Sequence, residues 1–131
     1  MESRLVYIAS PYAGDIEKNV AFAKAACRYA VAQGCTPVAV HLMYPQFLDD
    51  CVPKEREAGL KMGMRVLAAC DEIWLCGERM SAGMKAEEAE AKRLGLPIQR
   101  VPSLVILPDL ETGEKIDYGE TNQRMEDMKL F

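Results

Sequence analysis

Short apolar segments alternate with longer amphipathic segments along the first hundred residues. Four apolar runs, at residues 5–9, 36–40, 72–76 and 97–101, have the length and composition of buried strands. Segments long enough for helices separate them. Strands that alternate with helices form βαβ units, so the pattern predicts an α/β protein whose sheet is mostly parallel.

Three main helices are predicted between these strands, and each has its own boundary signals. Asp15 is a candidate N-cap for the first, which stops at Gly34. Pro53 suits the first turn of the second helix, which runs to about residue 70. Ser81 is a candidate cap for the third, which ends at Gly95.

The segment after residue 101 has a different character. Residues 104–107 form an apolar run that predicts a fifth strand, and residues 115–118 could pair back as a hairpin. From Glu120 the chain is polar and is expected to fray. With 131 residues, the chain is expected to be a single domain with its core at about residues 4–101 and a strand, hairpin and tail at 102–131.

Charge and hydropathy narrow the class of partner. Twenty acidic against sixteen basic residues give a net charge of -4, which argues against a nucleic-acid polymer or an anionic membrane as the partner. No apolar run reaches the ~20 residues of a membrane span. The start of the chain lacks the pattern of a signal peptide. We therefore expect a cytoplasmic protein.

The cysteines favour neither disulfides nor a metal site. The count of five is odd, no two cysteines have CxxC spacing, and the chain has one histidine, His41. We expect reduced, mostly buried thiols and neither a metal nor another cofactor.

Candidate chemistry is expected at the carboxyl ends of the strands, where open parallel sheets bind ligands. The loops at residues 10–14, 41–47 and 77–84 lie there. Ser10 and Tyr12 can bind a hydroxyl or phosphate and stack on a base, or they can form an ordinary turn. His41 ends the predicted second strand, and it can be a ligand-binding or a structural residue.

The third predicted helix contains an anomalous carboxylate. Met84, Ala91, Leu94 and Gly95 share one face, and Glu87 falls inside that stripe. A carboxylate on an inward face is costly unless it is paired, hydrated or functional. Alternatively, the stripe is rotated and Glu87 is a solvated residue that favours the amino end of the helix.

Several segments, in this order, resemble the nucleoside 2-deoxyribosyltransferase-like superfamily, which includes nucleotide N-glycosidases. They are Tyr-Ile-Ala-Ser-Pro-Tyr at 7–12, Cys-Asp-Glu-Ile-Trp at 70–74, Ser-Ala-Gly-Met-Lys-Ala-Glu at 81–87 and Ala-Lys-Arg-Leu-Gly-Leu-Pro-Ile at 91–98. The run His-Leu-Met-Tyr-Pro-Gln-Phe-Leu-Asp-Asp at 41–50 is similar to one in a branch of small bacterial and phage proteins of uncharacterised function. The resemblance covers residues 4–101.

This resemblance implies a flavodoxin-like (Rossmann-like) doubly wound sheet of four or five strands. It also implies cleavage of an N-glycosidic bond, with Glu87, four residues after Gly83, as the nucleophile that attacks C1′ of the sugar. Tyr7, Ser10 and Tyr12 match positions that line the sugar or base pocket. Members of the superfamily are usually oligomeric, so a homo-oligomer, a dimer or higher, is expected.

Two departures from the superfamily leave alternatives open. Its enzymes carry aspartates at positions that correspond here to Gly63 and Ser81. A nucleotide-binding module without turnover is therefore an alternative to an N-glycosidase or deoxyribosyltransferase. A third hypothesis is an interaction protein that binds another protein through its acidic surface or the tail at 102–131.

The leading expectation is an enzyme acting on a nucleoside or nucleotide, with Glu87 as the catalytic residue. The residues expected to bind the substrate belong to the three carboxyl-edge loops and the strand before the first of them. They are Tyr7, Ser10, Pro11, Tyr12, His41, Ser81, Gly83 and Met84.

Overall fold

The computed structural model describes residues 3–106, which form one parallel sheet with helices on both faces. In chain order the elements are β1 (Leu5–Ala9), α1 (Ile16–Ala32), β2 (Thr36–Val38), α2 (Val40–Met43), α3 (Pro53–Ala69), β3 (Glu72–Cys76), α4 (Ala82–Leu94) and β4 (Ile98–Val101). A 3-10 turn, Tyr44–Gln46, follows the short helix α2.

The strand order is β2-β1-β3-β4, and every pairing is parallel. The predicted α/β class and the doubly wound, flavodoxin-like arrangement are confirmed. The chain moves outward from β1 to β2 and then crosses back to β3, so the order reverses between β1 and β3. At such a switch point the loops diverge and leave a crevice beyond the carboxyl ends of the strands.

The two faces of the sheet carry separate apolar clusters. Val6 and Ile8 pack with α1 on one face, whereas Tyr7 and Ala9 pack with residues of α3 and α4 on the other. Alternate strand residues point to opposite faces, so β1 supplies both clusters. Tyr7 is therefore directed towards the helix that carries the candidate carboxylate.

The predicted boundary signals of the main helices are confirmed. The side chain of Asp15 accepts a hydrogen bond from the backbone N–H of Lys18 at 3.2 Å, and Pro53 occupies the first turn of α3. Gly95 caps α4 in the left-handed region at φ 73°. A residue with a Cβ is strained there, which explains why glycine ends the helix.

The second strand is shorter than predicted, and the loop after it is partly helical. We expected a strand through residue 40 and a loop at 42–52, but β2 ends at Val38 and Val40 begins α2. Val40 is buried in the same cluster as Tyr7. Burial of Val40 against the α3 side decides its conformation, so tertiary packing overrides the strand propensity of a β-branched residue.

The predicted fifth strand is wrong in the part that the structure describes. Residues 103–106 are helical, and Ile106 is buried in the α1-side cluster. The Glu78 carboxylate accepts hydrogen bonds from the Ser103 backbone N–H at 3.1 Å and from its hydroxyl at 2.6 Å, which caps this turn. The hairpin at 115–118 and the polar tail lie outside the described residues.

The five cysteines are free thiols, three of them buried. Burial raises the pKa of Cys70 to about 11 and that of Cys76 to about 12, so both thiols are protonated at neutral pH. Within residues 3–106, no cluster of His, Cys, Asp and Glu side chains could hold a metal ion. None of the helices in this range is both long and apolar enough to cross a bilayer.

Candidate functional site

A buried contact joins β1 to α4 across the switch point. The hydroxyl of Tyr7 donates a hydrogen bond to Oε2 of Glu87. Glu87 is only 5% exposed, and its Oε1 has no hydrogen-bond partner among the described residues. The carboxylate therefore has one oxygen held by the phenol and one oxygen free.

Local sequence in α4 explains why Glu87 is turned inward. Ser81 is the N-cap, and its hydroxyl accepts a hydrogen bond from the backbone N–H of Met84 at 3.1 Å. Met84 and Ala91, three residues before and four after Glu87, are fully buried. Side chains at this spacing share one face of a helix, so the interpretation that places Glu87 on the apolar face is confirmed.

Burial controls the ionisation of the pair. Removal from water raises the pKa of Glu87 to about 7, and the hydrogen bond from Tyr7 opposes that shift. Burial, followed by the negative charge of Glu87, raises the pKa of Tyr7 far above its usual value. The shared proton therefore stays on Tyr7, while Glu87 can be protonated or ionised near neutral pH.

The backbone of α3 approaches the same hydroxyl. A Cβ built at Gly63 would lie 3.4 Å from the Tyr7 hydroxyl oxygen and 3.7 Å from Cγ2 of Val40. Position 63 therefore borders the Tyr7–Glu87 pair, and a side chain there would meet the phenol. Cys70 lies in the same apolar cluster as Tyr7, and Tyr44 packs against that cluster.

A second pair of predicted residues meets beside the first loop. The rings of Tyr12 and His41 stack with centroids 5.6 Å apart and planes 20° apart. Burial lowers the pKa of His41, and the negative charge of Asp50 only partly opposes this. The imidazole is therefore neutral at pH 7, and the pair presents two stacked uncharged rings.

The other predicted residues occupy varied environments. Ser10 follows β1, is 1% exposed, and has a hydroxyl without a hydrogen-bond partner in residues 3–106. Pro11 is half-buried, Gly83 is exposed in the first turn of α4, and Met84 lies in the apolar cluster with Tyr7. The structure thus joins Tyr7 to Glu87, Tyr12 to His41 and Ser81 to Met84, but gives no contact that links all three pairs.

Sequence analysis did not place Tyr44 or Gly63 beside Tyr7. Tyr44 packs against the cluster that contains Tyr7, and Gly63 borders the phenol. A usable signal for Tyr44 was its position four residues after Val40, which places both on one side of a helical turn. No local signal in the α3 segment marks Gly63 as a neighbour of β1.

A surface hollow of about 270 Å³ lies elsewhere, around the start of α3. None of the predicted site residues lines it, and its walls carry both signs of charge. Its lining residues are Asp50, Cys51, Pro53, Arg56, Glu57 and Leu60. We place the candidate site at the Tyr7–Glu87 pair instead, because ligand sites need convergent polar groups and the free buried oxygen is there.

The sequence was also compared with known proteins. Residues 4–101 match the model of a family described as a domain of unknown function, DUF7768. The chain belongs to this family. The DUF7768 domain contains all four strands and ends with β4, and it includes Tyr7, His41 and Glu87. No curated protein matches the sequence.

Proposed function

We propose that this protein cleaves the N-glycosidic bond of a nucleoside or nucleotide, with Glu87 as the nucleophile. The observation that carries the proposal is the buried carboxylate on α4, with Oε2 held by Tyr7 and Oε1 buried without a partner. Resemblance to the nucleoside 2-deoxyribosyltransferase-like superfamily supports it, because the nucleophile of those enzymes matches Glu87. Position 63, where those enzymes carry an aspartate, borders the same pair.

In the proposed mechanism, Oε1 of Glu87 forms a bond to C1′ as the bond between C1′ and the base breaks. The product is a glycosyl ester of Glu87. Water then attacks C1′ and releases the sugar, or a second base accepts it. Tyr7 is a positioning residue, because its hydrogen bond fixes the orientation of the carboxylate without touching the sugar.

The proposed pocket is completed by the residues that the sequence assigned to substrate binding. The stacked rings of Tyr12 and His41 offer a planar apolar surface for a base. The unpartnered hydroxyl of Ser10 can bond a polar group of the ligand. The first turn of α4, with half-buried Ser81 as its N-cap and exposed Gly83, offers backbone N–H groups to a polar ligand.

The test is chromatography of free bases after incubation with nucleosides, their monophosphates and NAD. Wild type is compared with Glu87→Gln and with the matched control Glu88→Gln, which makes the same change at the neighbouring, half-exposed residue. We expect release by wild type and Glu88→Gln, and none by Glu87→Gln. Full release by Glu87→Gln would refute the mechanism.

A second candidate is a nucleotide-binding module without turnover. The observation that favours it is Gly63, because this position borders the phenol and supplies no carboxylate. It predicts that a nucleotide raises the melting temperature while no base is released over a long incubation. We further propose a cytoplasmic location and a homo-oligomer, whose mass light scattering would measure.

A further inference from the structure

The buried carboxylate of Glu87 lacks a positive partner within the described part of the chain. Only burial and the hydrogen bond from Tyr7 shift its pKa. A buried carboxylate without a cation is unfavourable, and it gains from a positive charge brought by a ligand. A substrate can therefore supply the positive charge that Glu87 lacks.

The neighbours of this carboxylate do not compete with a cationic ligand. Tyr7 contacts Glu87 through its hydroxyl, and Tyr44 packs against the cluster that contains Tyr7. Neither side chain can carry a positive charge. His41 adds no opposing charge at neutral pH, because burial lowers its pKa.

The hydrogen bond and the pKa of Tyr7 limit its ability to protonate a leaving base. A neutral base departs readily only when an acid protonates it. The Tyr7 proton is engaged in the hydrogen bond to Glu87, and the pKa of Tyr7 is raised far above its usual value. Tyr7 is therefore a poor acid, and a base that already carries a positive charge needs no such proton.

We propose that the substrates are N-glycosides whose base is cationic, such as a pyridinium or an N7-alkylated purine. This inference rests on the proposed function and names its substrate class. As Oε1 of Glu87 bonds to C1′, the C1′–N electron pair moves onto the base, neutralises its charge and lets it leave. Water then bonds to C1′, the ester electron pair returns to Glu87, and one water proton passes to the solvent.

The test compares adenosine with 7-methyladenosine, two substrates that differ by one methyl group and, because neither has an acidic ring N–H, by one positive charge at pH 8. Base release is measured at that pH, where Glu87 is ionised, and enzyme-free release is subtracted. We expect kcat/KM for 7-methyladenosine to exceed that for adenosine by at least about 100-fold, the scale of the acid catalysis that the cation makes unnecessary. Glu87→Gln should abolish the release of 7-methyladenine, and Glu88→Gln should not.

The outcomes distinguish failure of the cationic substrate class from failure of the proposed function on which it rests. If both substrates react within about threefold of each other and both need Glu87, the cationic class is wrong and the proposed function stands. If neither reacts in a Glu87-dependent way, and the nucleoside panel also yields no base, both are overturned.

A binding measurement supplies a readout that needs no turnover. The probes are 1-methylnicotinamide, a cation without a sugar, and nicotinamide, its neutral counterpart. We expect the cation to bind wild type more tightly by about tenfold, which corresponds to roughly 1.4 kcal/mol, and to lose this preference in Glu87→Gln. Equal affinities for the two probes in wild type would contradict the inference.

Discussion

The two faces of the sheet each bury one glutamate, and the two side chains have different surroundings. Glu72, the first residue of β3, is 4% exposed and bonds Trp74 on the α1 face, whereas Glu87, 5% exposed, lies on the face of α3 and α4. The Arg4 guanidinium donates to Oε1 of Glu72, and Nε1 of Trp74 donates to its Oε2 at 2.7 Å. Both oxygens of Glu72 are thus occupied, whereas Glu87 keeps one oxygen free.

This difference shows that burial of a carboxylate does not by itself mark a site. Glu72 has a cation and an indole as partners, so its charge is compensated within the fold. Glu87 has only a neutral phenol as partner, and its other oxygen is buried without a partner. It lies on α4, the helix that starts from the carboxyl edge of the sheet, where parallel sheets bind ligands. We assign a structural role to the first and chemistry to the second.

The largest expected effect comes from changing each glutamate to glutamine and measuring base release. Glu87→Gln should lower the rate by at least about 1000-fold, because it removes the nucleophile. Glu72→Gln should leave the rate within about threefold, because Glu72 bonds Trp74 on the opposite face of the sheet. A large loss of base release in Glu72→Gln with an unchanged melting temperature would contradict the structural role assigned to Glu72.

Removal of Arg4, the cation that pairs with Glu72, should lower the free energy of unfolding. Arg4→Ala leaves the Glu72 carboxylate buried without its cation, so we expect the free energy of unfolding to fall by about 2 kcal/mol. That figure sits below the usual range for a broken buried pair because the Arg4 side chain is 59% exposed. The measurement is urea denaturation.

The matched control for Arg4→Ala is Arg93→Ala. Arg93 pairs with Glu90 on the outer surface of α4, and exposed pairs contribute little. An equal loss of stability in both variants would show that the Glu72 pair is an ordinary surface contact.

Stability should also depend on pH through Glu87. Its pKa is about 7 in the folded protein against an ordinary value of 4.5, so between these values the folded state binds the proton more tightly than the unfolded chain. The free energy of unfolding should therefore fall as pH rises through this window, by on the order of 2 kcal/mol. Tyr7 and Cys70, whose pKa values burial raises, stay protonated in this window.

The pH dependence is checked by denaturation of wild type and Glu87→Gln from pH 4.5 to 8. Glutamine does not titrate, so the variant should lose this component of the slope and exceed wild type in stability above pH 7. Identical slopes in the two proteins would mean that Glu87 is not desolvated.

A smaller effect is expected from Tyr7→Phe, which removes the hydroxyl that orients Glu87. Loss of this hydrogen bond should cost about 1 kcal/mol of stability and raise the pKa of Glu87 further. The pH at which base release reaches half its maximum should rise accordingly. Tyr29→Phe, on the α1 side beside Trp74, is the control and should leave the pH profile unchanged.

The sequence predicts the burial of Glu87 but not that of Glu72, and the reason is geometric. A helix has an inner and an outer face, so the period of α4 singled out Glu87 as a carboxylate on the buried side. A strand covered on both faces has no outer side, so nothing marked Glu72 as buried. Its partners Arg4 and Trp74 come from different elements and meet only once the strand order is set.

Contacts between distant segments could likewise not be predicted from local sequence patterns. Tyr7 and Glu87 are 80 residues apart and meet because β1 lies beside β3. The apolar run at 104–107 is compatible with a buried strand or with a helix. In the structure, the hydrogen bond from the Ser103 backbone N–H to Glu78 caps a helical turn at 103–106. Local signals fixed helix ends well because caps act over three or four residues.

The most direct test of the central claim is to look for the glycosyl ester of Glu87. Wild type is incubated with a 2-deoxy-2-fluoro analogue of a nucleoside that it cleaves, which slows hydrolysis of the ester, and the protein is digested and mapped by mass spectrometry. We predict that the mass of the fluorosugar is found on Glu87 and that Glu87→Gln carries no adduct. An adduct on another carboxylate, or unchanged base release by Glu87→Gln, would contradict the account.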